Sequence, residues 1–528
     1  MNVSTAVEPE QDESRKVIPS HAIILGMLVL IPSIVQAKVY ARLLFQYIFV
    51  HNDTAYPEGA SVYAFLTALR TGHLYTEPFH FPWNVQLYGP IFYLVGLGLA
   101  KAAHGVPLLT TELVRGLSFL AFTGAVGLAA YLSWRLERNK IWTMACVVMG
   151  FACTWAIPYV ASARPESLAF FMIFAAMTVF EVAQGRGKVI FWAGVLGSLS
   201  FLTKQSTAPV LFALLLYTLL ERRFKNTVAL VLGTLPVPIL VYSVLSFRHE
   251  DFLANFAAIG HAVIDWRGVP KVFLDLLRTN QAAVIPLLIM LMGAIVSWKI
   301  KKYQPIILTA VLGCVTGVAA LSNVGGAGHY LILPWLLLVP FLPAGMLVVE
   351  GWARRTHMIP VGLAALGVIL LIHQRNLLAK TVPADIDVSG VSQLKILSDL
   401  GYLEMNSREP ELLDPYYYRN VALRNVWSFA PIAAQIDRQE FDLILIGGED
   451  GKSGTEFTVS GFRGVSYWGA HDLDDMQSHY RGLCEVPGYL AFVPRERAGS
   501  VRGEDVQEIF RKPCRQTDRI PHVERSLR

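Results

Sequence analysis

"HNDTAYPEGASVYAFLTALRTGHLYTEPFHFPWNVQLYGPIFY", residues 51–93, follows the first apolar run of the chain and is crowded with carboxylates, histidines and prolines that a lipid interior would reject. Its surroundings give it meaning. Apolar runs of about 17 to 25 residues recur between residues 20 and 375, each long enough to cross a hydrocarbon core of about 30 Å. The 528-residue chain is 54% hydrophobic and only 16% charged, against roughly 25% charged in a soluble domain. Together these features predict a polytopic α-helical membrane protein, in which residues 51–112 form a large external loop with juxtamembrane helices lying against the membrane. Within it "SVYAFLTALRTG" carries apolar residues at helical spacing, with Gly72 placed to close the helix.

Basic clusters thread the rest of the chain. Arg135, Arg138 and Lys140; Arg186 and Lys188; Arg222, Arg223 and Lys225; Lys299, Lys301 and Lys302; and Arg354 and Arg355 are separated each time by two apolar spans. Short loops rich in Lys and Arg stay cytoplasmic, so one assignment puts all five inside. "SARPES", "TKQST", the 248–280 segment and "NVGGAGHY" then fall outside. With 22–42 crossing outward and 114–134 crossing back, "YGPIFYLVGLGLAKAAHG" is left as a juxtamembrane or half-inserted helix. About eleven crossings follow, an odd number, so a cytoplasmic tail of residues 1–21 implies an external C-terminus.

The expected organisation is therefore a tail at 1–21, a membrane part at 22–375 and a soluble α/β domain at 376–528. In the last of these, "FAPIAAQIDRQ" suits a helix, and "FDLILIGG" and "GYLAFVP" suit buried strands. The apolar run at 22–42 has no small-residue cleavage site before it ends, so it is expected to stay as an anchor. The net charge of +5 is spread over many loops, which excludes a nucleic-acid footprint. Cys146, Cys153 and Cys314 lie in apolar spans as small hydrophobes, whereas Cys484 and Cys514 could pair if their part of the chain faces an oxidising compartment.

Every unusual polar group of the membrane part collects at one face. Asp53 and Glu58 sit just outside the first span. A carboxylate near an apolar boundary has its pKa pushed up, which suits a general base for a hydroxyl. Arg164 and Glu166 stand where a span enters, and Lys204 with Gln205 between two apolar runs either snorkels or binds an anion. His329 and Tyr330 follow the flexible "GGAG" at the same face. Acids, cations and hydrogen-bonding groups at one surface fit an anionic lipid headgroup approached by an acceptor hydroxyl. A phosphate leaves without needing a proton, so one base and one cationic cradle suffice.

"YPEGASVYAFLTALRTGHLYTEP", "YGPIFYLVGLGLAKAAHG", "ARPESLAFFMIFAAM" and "GSLSFLTKQSTAPVLFALLLY" together resemble the GT-C superfamily of polytopic glycosyltransferases, in particular its bacterial members similar to the protein mannosyltransferase and aminoarabinose transferase groups. The likeness covers roughly residues 20–350 and rests on the loop acid, the G-x-L-Y and Y-x-P-x-x-Y elements that follow it, and the R-P-E and K-Q elements. It implies an inverting transferase that takes a sugar from a polyprenyl-phosphate donor at the outer face of a bacterial inner membrane, in service of envelope glycan. It also implies that Glu58 is the base by its distance to G-x-L-Y, with Asp53 as rival. Arg164, Lys204 and Gln205 would contact the donor phosphate, and Tyr88, His329 and Tyr330 would line the substrate site. Some members use a divalent metal such as Mg or Mn and others none. The acceptor, whether glycan, lipid or protein, is written in no motif. Two other functions compete: a transporter or flippase of a lipid-linked sugar, which would place its polar groups near the bilayer midplane, and a non-catalytic membrane scaffold of glycan assembly.

Overall fold

The computed structural model describes residues 34, 38, 42–55, 57–153, 156–183, 185–260, 264, 266–279, 281–322, 328–353, 385–447, 461–462, 465–466, 476–486, 489–497 and 501–515. The tail at 1–21, nearly all of the crossing at 22–42, the Arg354–Arg355 cluster and the boundary near 375 lie outside these residues.

Helical residues 42–49 lead into the loop. There α1 (Glu58–Thr71) ends as its sequence predicts, with Gly72 at φ 78° and its N–H donating to the Ala68 carbonyl. The helix α2 (Pro90–Ala102) starts on a proline that needs no amide partner. Its 13 residues reach about 20 Å at 1.5 Å per residue, less than a hydrocarbon core. The membrane part continues through α3 (Pro107–Glu137), α4 (Lys140–Gly150), α5 (Glu166–Ala183), α6 (Gly187–Thr203), α7 (Ala208–Leu220), α8 (Phe224–Thr234), α9 (Pro236–Phe247), α10 (Gln281–Ser297), α11 (Gln304–Ala320), α12 (Ile332–Leu338) and α13 (Leu342–Ala353). Among the described residues five helical stretches are long and apolar enough to cross a membrane: Pro107–Glu137, Glu166–Ala183, Phe224–Phe247, Lys301–Ala320 and Gly328–Val349. The chain is thus an integral multi-pass membrane protein.

Glycines let these helices approach closely, since packing between membrane helices depends on small residues at the contact. A Cβ on Gly233 of α8 would lie 2.0 Å from the Phe191 carbonyl oxygen of α6, and one on Gly345 of α13 would lie 2.0 Å from that of Ile289 in α10. The main apolar core runs between these helices, with Phe122, Phe174, Trp335 and Phe341 inside it.

The C-terminal α/β part carries α14 (Gly401–Asn406), α15 (Pro415–Ala422), α16 (Ala430–Asp437) and α17 (Gly503–Phe510). Its strands are β1 (Ile396–Ser398), β2 (Leu443–Gly447), β3 (Gly461–Phe462), β4 (Val465–Ser466), β5 (Tyr480–Val486) and β6 (Tyr489–Pro494). The main sheet has the order β1-β2-β6-β5. Strand β2 pairs parallel to β1 and antiparallel to β6, and all five of its residues are buried, as the apolar run "FDLILIGG" predicts. Cys484 and Cys514 form a disulfide that ties the segment after α17 to β5.

The loop and this α/β part are interlocked. Trp83 N–H donates to the Glu411 carbonyl at 2.8 Å and Leu413 N–H returns to the Trp83 carbonyl at 3.2 Å, while the Tyr418 hydroxyl reaches the Pro78 carbonyl. Consequently α1 is buried on nearly every side from Glu58 through Leu66 and is not the one-sided amphipathic helix that its spacing suggests. The tyrosines of "DPYYYRN" are buried too, at 9%, 7% and 0% exposure for Tyr416, Tyr417 and Tyr418, so they serve packing.

Candidate functional site

Two polar clusters meet where the loop joins the membrane helices. The first is built on Arg115 of α3, which is fully buried. Its guanidinium donates to both carboxylate oxygens of Glu58, at 2.8 Å from Nε and 2.7 Å from Nη2, and to the carbonyls of Val50 and Asn52. Glu58 also accepts from Thr54 N–H at 2.8 Å, Thr54 Oγ1 at 2.9 Å and Ala163 N–H at 2.6 Å. These bonds fill the roughly four lone-pair positions of a carboxylate. Burial pushes the Glu58 carboxyl up, but the Arg115 charge and these donors outweigh it and hold the group below the usual range.

Asp53 is placed differently. It is half-buried, and each of its oxygens accepts one backbone bond, Oδ1 from Gly59 N–H at 2.9 Å and Oδ2 from Tyr402 N–H at 2.9 Å. About two lone-pair positions stay open. Burial and the neighbouring Glu58 charge raise its pKa to about 7, against the lowering pull of the Tyr402 N–H and Arg115.

The second cluster centres on Glu166 at the start of α5. Its Oε1 meets Arg164 Nη2 at 2.7 Å, Lys204 Nζ at 2.6 Å and His329 Nε2 at 3.9 Å. Two cations against one carboxylate leave a net positive charge. Arg164 stacks over the Tyr159 ring and Lys204 over the Tyr330 ring. The His329 ring lies between these two tyrosines, 4.9 and 4.1 Å from their centroids, and its buried Nδ1 has no hydrogen-bond partner among the described residues. Tyr88 is buried within reach of the charges of Arg164 and Glu166. Lys204, His329 and Tyr330 line a cleft, and Pro334 on its wall also lines an apolar cavity walled by Phe273, Leu277, Leu287, Leu291 and Trp335.

Local sequence explains this convergence. Lys204 has extended backbone between α6 and the 3-10 turn Gln205–Thr207, so the chain reverses there and turns its side chain toward α5. Gly89 lets the Tyr88 loop press on the end of α6, its N–H donating to the Thr203 carbonyl at 3.2 Å. The clusters are joined through Ala163, bonded to Glu58, and its neighbour Arg164.

Of the residues singled out from sequence, Asp53 and Glu58 fall in the first cluster, and Arg164, Lys204, His329, Tyr330 and Tyr88 in the second. Gln205 is half-buried and takes no part in the ion pairs among the described residues. Sequence reading missed Arg115 and Tyr402. Arg115 left a signal, a cation inside an apolar run; Tyr402 acts through its backbone and left none. Among the described residues no three His, Cys, Asp or Glu side chains group as they would around a metal ion.

No family model and no curated protein sequence matches this chain. Among solved structures it is similar to ArnT from Cupriavidus metallidurans bound to undecaprenyl phosphate, with a TM-score of 0.52 and 11% identity over 88% of this chain and 98% of that one. The apo state of the same protein gives 0.52 and 11% over 87% and 97%. The resemblance to the aminoarabinose transferase type, expected from the loop acid and the R-P-E and K-Q elements, is therefore met as a shared fold over most of the chain.

Proposed function

We propose that this protein is an inverting glycosyltransferase that uses a polyprenyl-phosphate sugar at the outer face of the bacterial inner membrane, with about eleven crossings and its α/β domain outside. The Asp53 carboxylate takes the proton of an acceptor hydroxyl. The hydroxyl oxygen bonds to the anomeric carbon, the bond from that carbon to the phosphate oxygen breaks, and polyprenyl phosphate leaves with the electron pair. Arg164 and Lys204 stabilise that leaving charge, His329 and Tyr330 orient it, and the adjoining apolar cavity takes the start of the prenyl chain. Glu58 holds the loop in place through Arg115.

The observation that carries this reading is the contrast between the two acids. Glu58 has its oxygens filled by a buried guanidinium and backbone donors, whereas Asp53 keeps open positions and a pKa near 7, where a general base works well. The shared fold with a protein solved with undecaprenyl phosphate supports the donor class. The test is radiolabelled transfer by purified protein in nanodiscs, from a panel of polyprenyl-phosphate pentoses and hexoses to a membrane extract. Transfer by the wild type that is lost in Asp53→Asn supports the assignment, and full-rate transfer by Asp53→Asn rejects it.

A further inference from the structure

We propose that Tyr402 is a positioning residue, its backbone N–H holding Asp53 in line, so that the C-terminal α/β part completes the site begun by the first loop. This rests on the reading of Asp53 as the base. The geometry behind it has three parts. First, the Tyr402 N–H lies 2.9 Å from Asp53 Oδ2, across 349 residues of sequence. Second, α14 sits against α1 at backbone contact, since a Cβ on Gly59 would fall 2.2 Å from the Gly401 carbonyl carbon and 2.5 Å from the Tyr402 nitrogen. No side chain fits between these two backbones, so the distance from Asp53 to the donor is fixed by packing.

Third, α14 is anchored on its far side. Glu404, fully buried, accepts from Ser398 N–H at 3.0 Å, Glu411 N–H at 2.9 Å and Leu412 N–H at 3.2 Å. Glu411 and Leu413 in turn pair with Trp83 of the loop. A closed circuit of hydrogen bonds thus runs from Asp53 through α14 to the 411–413 segment and back to the loop that carries Asp53.

The N–H favours the ionised form of Asp53, because a donor bonded to a carboxylate stabilises its charge. Asp53 also faces Glu58 and Arg115, with Glu112 and the Tyr402 phenol around the same point and His51 beside Glu112 at 3.9 Å.

Tyr402→Pro deletes the N–H at the second position of α14. The chain already carries proline at that position in α7, α11 and α16, as Pro209, Pro305 and Pro431, where a helix tolerates it. Tyr402→Ala removes the ring and keeps the N–H, so the difference between the two variants reports the lost bond together with the proline Cδ placed toward Asp53. Gly401→Ala, which crowds the same point while keeping the N–H, is the control that separates the two. The readout is the pH midpoint of Asp53 labelling by a water-soluble carbodiimide, which attacks protonated carboxyls, measured by peptide mass spectrometry on the intact protein in detergent. It requires no turnover. The expected midpoint of Tyr402→Pro is about one pH unit above that of Tyr402→Ala, the size expected for a lost bond to a charged group. The pH profile of transfer should follow, with kcat/KM of Tyr402→Pro roughly tenfold lower below pH 6 and converging with Tyr402→Ala near pH 9. Gly401→Ala keeps both ring and N–H but places a Cβ 3.3 Å from Ala60 N and 3.4 Å from Asp53 Oδ2, and a smaller upward midpoint is expected. Equal midpoints for Tyr402→Pro and Tyr402→Ala would overturn the proposal while leaving Asp53 as base untouched. An active Asp53→Asn would instead remove the base and leave the labelling result standing.

Discussion

At the scale of single residues, two acids five positions apart are driven to opposite chemistry by their partners. Glu58 and Arg115 are each only 1% exposed. Removing one charge of such a pair strands the other in a water-poor interior, at a cost of about 3–5 kcal/mol. Glu58→Gln is therefore expected to lower the apparent melting temperature in detergent together with activity. The loop sequence alone suggests a catalytic loss in an intact fold. An unchanged melting temperature would return Glu58 to the catalytic candidates. Asp53→Asn is expected to leave the melting temperature near that of wild type while cutting transfer at least about 100-fold, the usual worth of a general base. The sign of its pH dependence follows from the raised pKa. On the proposed role of Asp53 as base, its raised pKa of about 7 predicts that kcat/KM falls about tenfold per unit as pH drops below that value, and that this acid limb vanishes in Asp53→Asn.

At the scale of elements, the site depends on where backbones touch. Gly89 precedes α2, and a Cβ there would stand 2.0 Å from the Leu202 carbonyl oxygen of α6. Two residues beyond Leu202 the chain reaches Lys204, so forcing the loop away from α6 moves Tyr88 and the lysine apart. Gly89→Ala is expected to weaken binding of undecaprenyl phosphate about tenfold or more, read by quenching of intrinsic tryptophan fluorescence or by thermal shift. Gly98 lies on the same helix with nothing within 4 Å of its Cβ position. Gly98→Ala should leave binding unchanged and slightly favour the helix, as alanine does over glycine. Equal losses from both substitutions would mean that α2 responds to any substitution and that the contact with α6 has no special role.

At the scale of the whole molecule, the features legible in the sequence are those set by neighbours along the chain. The Gly72 cap, the buried strands β2 and β6, the short α2 and the gathering of Arg164, Lys204 and His329 at one end of the helices all follow from period, composition or charge threading. What stayed hidden is long-range. The burial of α1 depends on α14, and the filling of Glu58 on Arg115, 57 residues away. The donor on Asp53 is a main-chain N–H that no residue type announces. The charge threading predicts an external α/β part, and the Cys484–Cys514 disulfide offers an independent check on that expectation, because such bonds persist in oxidising compartments. Trapping thiols in growing cells with a mass-tagged maleimide, followed by denaturation and reduction, should find this pair fully oxidised. Cys146 and Cys153, buried among the helices, should react only after unfolding. A pair that is reduced in cells would place the α/β part in the cytoplasm and reverse the outer-face assignment. The bond closes a loop of 30 residues, and on the chain-entropy model such a loop stabilises by about 3–4 kcal/mol. Cys484→Ser with Cys514→Ser should therefore loosen the C-terminal part in hydrogen exchange.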